Sequence, residues 1–210
     1  MLRSTASLVL IVAFSLVGFG WRTLVQVRRH GDTGWRFDRT GPDRVVGPLL
    51  ALSFALLLAA PVLALVGGDP WSPGGVRALG DGGAAALAAA VVGFVLVLAG
   101  GVVTVVAQLQ MGESWRIGVQ AGEHTALVTD GLFARVRNPI FTGMVLVAAG
   151  TALLVPNAVA LAGAALTVAT LQAQVRLVEE PHLRSVHGSA YEQWAATAGR
   201  FVPGLGHRLG

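Results

Sequence analysis

The sequence predicts a polytopic all-α membrane helix bundle of about five transmembrane helices, and three observations carry that prediction. Of 210 residues, 54% are hydrophobic and only 12% charged, where a soluble domain carries about a quarter charged residues. Apolar runs long enough to cross a bilayer recur along the chain, since a hydrocarbon core of about 30 Å takes about 20 helical residues. Every Lys or Arg position is Arg, 15 in all, and these residues gather in alternate interhelical segments, the asymmetry that sets membrane orientation.

The first apolar run, from about Ser4 to Val27, follows Arg3 and meets a charge only at Arg22. It ends in Gly20-Trp21-Arg22 without a small-x-small cleavage signature, so it reads as a retained anchor. A second run covers about Val45 to Val66 and a third about Gly83 to Ala107. From Pro139 to about Val175 the chain stays apolar except at Pro156-Asn157. That stretch is too long for one span and predicts two helices joined as a hairpin by a tight turn.

Arg28, Arg29, Arg36, Arg39 and Arg44 fall in the first connecting segment, Arg116, Arg135 and Arg137 in the third, and Arg184, Arg200 and Arg208 in the tail. Only Arg77 falls in the second. The positive-inside rule then predicts an outward N-terminus, with the first and third segments and the C-terminus cytoplasmic. Gly67 to Gly82, rich in Gly, Pro and Asp, becomes an outer solvated loop. The stretch Pro181 to Ala198 predicts a short amphipathic helix, with Pro181 in its first turn and Leu183, Val186, Tyr191 and Trp194 suited to the interface. A chain without Lys and rich in Ala, Gly, Val and Arg points to a high-GC bacterial source, hence to the inner membrane. Two regions follow: residues 1–107 hold the first three spans and the basic segment 28–44, and residues 108–210 hold the polar functional half.

Polar groups beside a membrane are costly, so their placement is informative. Gln108 and Gln110 close the third span, Gln172, Gln174 and Arg176 close the fifth, Glu179-Glu180 follow directly, and Arg137-Asn138-Pro139 opens the fourth. The topology brings all of them to one end of the bundle. Solvated helix ends are one reading; a buried site pairing both signs of charge is the other, favoured by their density. Asn138-Pro139 is an N-cap with a favoured first-turn proline, and the free N–H groups there suit a carboxylate or ribose oxygen. Gly143, one turn on, admits a flat ligand or another helix. Gly93, Gly100 and Gly101 likewise permit close helix packing. Two adjacent acids call for a cationic partner, either an Arg or a ligand.

Other chemistries are disfavoured. The chain has no Cys, which excludes disulfides, thiolate metal sites and thiol nucleophiles. His30, His124, His182, His187 and His207 all fall outside the spans, leaving a haem bundle without axial ligands. No span carries a mid-membrane charge of the kind a proton relay uses. The loop Gly80-Asp81-Gly82-Gly83 follows no strand and is not a nucleotide cradle, and nothing orients Ser185 and His187 as a nucleophile pair. The net charge of +4 suits lipid headgroups better than nucleic acid.

The series Met111 to Val119, Leu127 to Phe133, Arg137-Asn138-Pro139-Ile140-Phe141-Thr142-Gly143, Glu179-Glu180, Gly188, Tyr191 and Arg200-Phe201-Val202-Pro203 resembles the isoprenylcysteine carboxyl methyltransferase family. The resemblance covers roughly Gln108 to Pro203, and the joint order of its motifs is more specific than any one of them. It implies an integral membrane methyltransferase with S-adenosylmethionine as cofactor and a lipidic, prenylcysteine-like substrate entering from the bilayer. Carried over by position, the resemblance assigns the cofactor to Gln120, Leu127, Val128, Phe133, Arg137, Asn138, Pro139, Ile140, Phe141 and Glu179 or Glu180, with Tyr191 closing the pocket. Arg176 and Arg200 are the implied catalytic residues, either of which would clamp the substrate carboxylate bidentately.

The chain departs from the family's RHPxY pattern. Asn138 stands for the His and Phe141 for the Tyr, and Phe133 stands where Tyr is common. Asn keeps a donor and an acceptor, whereas Phe141 can only pack. Phospholipid or other small-lipid N-methylation, with a carboxylate such as Glu180 taking the amine proton, and a non-catalytic membrane relative are the alternatives.

Overall fold

The computed structural model describes residues 1–31, 33, 35–37, 41–67, 82–115, 117–119 and 126–206. Gln120, Arg116, the loop stretch 68–81 and the end of the tail from 207 lie outside the described residues.

Helix α1 (Leu2–Ser15) passes through a π-helical segment (Leu16–Trp21) into α2 (Arg22–His30). Helices α3 (Asp43–Val66) and α4 (Gly83–Met111) follow, then α5 (Pro139–Leu154) and α6 (Ala158–Gln174). A second π-helical segment (Val175–Glu179) joins α6 to α7 (Glu180–His187), and α8 (Ser189–Thr197) completes the described helices. Four rods are long and apolar enough to cross a membrane: Leu2–Arg29, Asp43–Val66, Gly83–Met111 and Ala158–His187. The protein is an integral membrane protein. Helix α5 is apolar too, but its 16 residues extend only about 24 Å at 1.5 Å per residue.

The hairpin forms where Pro156-Asn157 interrupts the apolar run. Asn157 Oδ1 accepts from the Ala160 N–H at 2.8 Å, capping α6, while its Nδ2 donates to the Ala60 carbonyl at 3.2 Å and ties the turn to α3. Past Val175 the structure differs from the sequence expectation: the helix does not end there but continues to His187. Pro181 has no N–H, and its ring would meet the carbonyl one turn back; the widened π turn just before it relieves that conflict. The tail is also two helices rather than one. Gly188, at φ 52° and ψ −125°, occupies backbone space open essentially to glycine and separates α7 from α8.

The expectation of helices alone needs one addition. Strands β1 (Trp35–Phe37) and β2 (Ile117–Val119) pair in parallel, with Trp35 opposite Ile117. This places the first and third connecting segments at one end of the bundle, independently of their charge.

Helices α4 and α5 run face to face at backbone contact. A Cβ added to Gly100 would stand 2.5 Å from the Gly143 carbonyl oxygen, and one on Gly150 would stand 2.6 Å from that of Gly93. Gly143 therefore admits another helix, and Gly93 and Gly100 are used inside the chain. Helix α6 lies on α3, where Thr167 Oγ1 donates to Ser53 Oγ at 3.1 Å. Phe14, Phe19 and Phe54 interlock α1, its π segment and α3. On the outer side of α4, Leu87, Val91, Val95, Leu98 and Val102 are exposed at helical spacing, the face a lipid environment requires.

Candidate functional site

The polar residues that the sequence sends to one end of the bundle meet there around Glu180. Its Oε1 accepts from Arg137 Nη2 at 3.1 Å and from Arg200 Nε at 2.6 Å, and its Oε2 accepts from Arg200 Nη2 at 3.2 Å. Arg200 thus grips the carboxylate with two parallel bonds, the geometry a planar guanidinium favours. Arg137 and Glu180 are 5% and 4% exposed. The other Nη donors of Arg137 are aimed at the chain's own carbonyls, Nη1 at Ala195 (2.7 Å) and Ala198 (2.9 Å) and Nη2 also at Gly206 (3.1 Å), while its buried Nε has no partner among the described residues. One buried acid and two arginines therefore join the start of α5, the start of α7 and the tail.

Backbone bonds extend this junction. The Arg137 N–H donates to the Gly199 carbonyl at 2.7 Å and the Gly199 N–H to the Arg135 carbonyl at 3.0 Å. Asn138 occupies the N-cap position of α5 but makes no side-chain cap. Its Nδ2 instead donates to the Arg200 carbonyl at 3.0 Å, and Thr142 Oγ1 donates to that of Phe201 at 2.7 Å. The segment 198–206 is a strap laid across the N-terminus of α5. Beneath it, Phe133, Tyr191, Trp194, Ala195 and Ala198 form an apolar cluster with Ala107, bordered by Leu127, Val128 and Ile140. Tyr191 and Trp194 pack edge to face at 5.9 Å, and Trp194 Nε1 donates to the Phe133 carbonyl at 2.8 Å.

The motif residues so gathered are Leu127, Val128, Phe133, Arg137, Asn138, Pro139, Ile140, Glu180, Tyr191 and Arg200. Phe141, the third residue of the same helix, is half-buried and packs toward the bundle core around Phe14 and Met144. Glu179 and Glu180 diverge. Successive helical residues are turned by about 100°, so Glu180 points in to the arginines while Glu179 is half-buried beside it. Among the described residues Glu179 takes no hydrogen bond or ion pair, and its electrostatic neighbours are the carboxylates of Asp43 and Glu180. Arg176, one turn before, is exposed, its Nε donating only to Gln172 Oε1 at 3.2 Å.

Two further buried residues lie near this end: Arg22, which in the sequence reads only as a charge at the end of a span, and Gln108, which reads as one of the gathered polar groups. Arg22 is 6% exposed, donates to the Gln108 carbonyl (3.2 Å) and lies 5.0 Å from the Trp115 ring centroid. Gln108 is fully buried and its Nε2 donates to the Gly18 carbonyl at 2.7 Å, inside the first π segment. A π turn frees a carbonyl from the helical ladder, and no sequence signal here marks where that happens.

A helical membrane bundle whose polar motifs converge under a C-terminal strap defines the class. Its overall fold matches that of a eukaryotic intramembrane Ras methyltransferase, isoprenylcysteine carboxyl methyltransferase, with a TM-score of 0.61 over 97% of this chain and 70% of the other, at 17% identity. Residues 88–190 match the family model for phospholipid methyltransferase. A protein-S-isoprenylcysteine O-methyltransferase of Schizosaccharomyces pombe is 31% identical over 99 residues, which is 46% of this chain and 42% of that protein. The match thus spans less than half the length of the curated relative. The chain therefore shares its fold with the solved methyltransferase and its central and C-terminal stretch with the two methyltransferase matches.

Proposed function

We propose that this protein is a membrane methyltransferase that carries a methyl group from S-adenosylmethionine to the carboxylate of a lipidic acceptor of the isoprenylcysteine type. The observation that carries the reading is the convergence of four separated motifs, at Phe133, Arg137-Asn138, Glu179-Glu180 and Tyr191, on one end of a bundle with the matching fold.

The residues present fit such a donor. Its sulfonium and ammonium are cationic, and Glu179 is an acid with no cation on it among the described residues, beside Glu180 and Asp43. Half-buried Leu127, Val128 and Ile140 beside Asn138 offer an apolar wall with polar groups at its edge. When bound, the cofactor supplies an electrophilic methyl group. The chain's part is then to align a carboxylate with it and to exclude water, and no general base is needed.

Within this reading, Glu180 and Arg200 hold the strap, Glu179 faces the cofactor, and Arg176 is the guanidinium left to meet the acceptor. Gln120 lies outside the described residues and keeps its role only as the resemblance assigns it. Residues 108–210 form the catalytic half, and the site faces the cytoplasm of a bacterial inner membrane.

The test is transfer of labelled methyl from S-adenosylmethionine to prenylcysteine analogues in proteoliposomes. A base-labile ester is expected, and Arg176→Ala should raise KM for the acceptor at least about tenfold, the effect of losing a charged hydrogen-bonded contact of about 1.4 kcal/mol or more. Unchanged turnover and KM in Arg176→Ala would remove that residue from the site. The family-model match favours a second acceptor class, the phospholipid amine, whose product would survive mild base.

A further inference from the structure

The turn at the end of the strap, Val202-Pro203-Gly204-Leu205, is apolar and outward-facing. Val202 is 49% and Leu205 64% exposed. Its shape is fixed: Pro203 and Gly204, the latter at φ 77°, occupy the two central positions that a type II turn assigns to Pro and Gly. The Leu205 N–H donates to the Val202 carbonyl at 3.1 Å, and the Arg200 N–H to the Leu205 carbonyl at 2.8 Å. The backbone groups at the neck of the turn are thereby satisfied within the strap, which lowers the cost of leaving water.

The turn sits where a membrane protein meets lipid. Thr142, whose hydroxyl bonds to Phe201, lies on the partly exposed stripe of α5 that continues through Val145, Leu146, Ala149 and Leu153. Helix α5 is about 24 Å long at 16 residues, shorter than the hydrocarbon core. Its first turns pack on the C-terminal part of α4, where a Cβ on Gly143 would meet Thr104, and the strap bonded to Thr142 lies at that same end of the bundle. From Phe201 to Gly206 there is no charged residue. Arg200, the charge that precedes the turn, is turned inward onto Glu180, and Arg208 lies outside the described residues.

We propose that the Val202–Leu205 turn is seated in the acyl-headgroup boundary of the bilayer, so that the strap is held between the buried Glu180 on one side and lipid on the other. The turn is tied to the partly exposed stripe of α5 through Thr142, and its occupant is the bilayer itself. The proposal rests on the membrane fold and not on the methyl-transfer reading.

The absence of Cys makes a direct test available. Val202→Cys and Leu205→Cys, each labelled with an environment-sensitive fluorophore in liposomes, are compared with Ser189→Cys at the exposed start of α8. Shallow spin-labelled lipids are expected to quench the labels at 202 and 205 several-fold more than the label at 189, with aqueous iodide showing the reverse order. Iodide quenching at 202 and 205 equal to that at 189, or no lipid quenching at either position, overturns the proposal, whatever the activity of the protein.

Discussion

Glu180→Ala should cost about 3–5 kcal/mol of stability, the range for removing one partner of a buried ion pair and leaving uncompensated charge behind. Two guanidiniums would lose their carboxylate, and Arg137, 5% exposed, would be stranded with only carbonyls for partners. The surface pair Arg184–Glu192, whose side chains are 35% and 43% exposed, supplies the comparison. An exposed pair contributes about 0–1 kcal/mol, so Glu192→Ala should leave the melting temperature in detergent nearly unchanged. Equal losses for the two variants would show that Glu180 is not the keystone of the junction. Limited proteolysis adds a local readout, since release of the strap should expose the chain beyond Ala198.

Gly143→Val and Gly100→Val should each prevent assembly of the α4–α5 pair. At both positions the added carbon would lie 2.5 Å from a carbonyl oxygen of the facing helix, and at Gly143 it would also collide with Thr104. Overpacking by a side chain against movable neighbours costs about 1–3 kcal/mol; here the obstacle is backbone, so the helices must separate and the full pairing is lost. Gly101, one residue from Gly100, meets only a Phe14 ring atom at 4.0 Å. Gly101→Ala should therefore purify and melt as the wild type does. A monodisperse Gly143→Val protein with an unchanged melting temperature would contradict the packing described.

These two sites mark how far the sequence could be read. Apolar length marked four of the five predicted spans and the hairpin at Asn157, because both follow from the cost of exposing polar groups to lipid. Gly143 was legible as a close approach, but whether a ligand or a helix makes that approach depends on the register of α4 against α5, which no local pattern encodes. Glu179-Glu180 was legible as a pair needing a cation. Which of them turns inward depends on helical phase after the π segment, and a single extra residue in a turn reverses the answer. Arg22 looked like an ordinary helix end, and the partner of Gln108 could not be named, because both depend on the other π turn, at Gly18. The strands β1 and β2 pair residues some eighty positions apart over too few residues to leave a period, so local patterning carries no trace of them.

The strap joins the two levels of the account. Its tail residues are bound to the motif after β2 by backbone bonds and by Arg137, so the apolar cluster around Tyr191 and Trp194 is built only when the C-terminal segment is in place. The resemblance offered Arg176 or Arg200 as the substrate clamp; in the structure the Arg200 guanidinium is engaged by Glu180. That leaves Glu179 as the acid without a hydrogen-bond or ion-pair partner among the described residues.

The most direct test of the central claim is calorimetric binding of S-adenosylmethionine and S-adenosylhomocysteine to the detergent-solubilised protein, wild type beside Glu179→Gln. The account predicts micromolar binding to the wild type, weakened about tenfold or more in Glu179→Gln, as expected for the loss of one charged contact, with its melting temperature unchanged. Absence of binding by folded wild-type protein would contradict the methyltransferase reading outright.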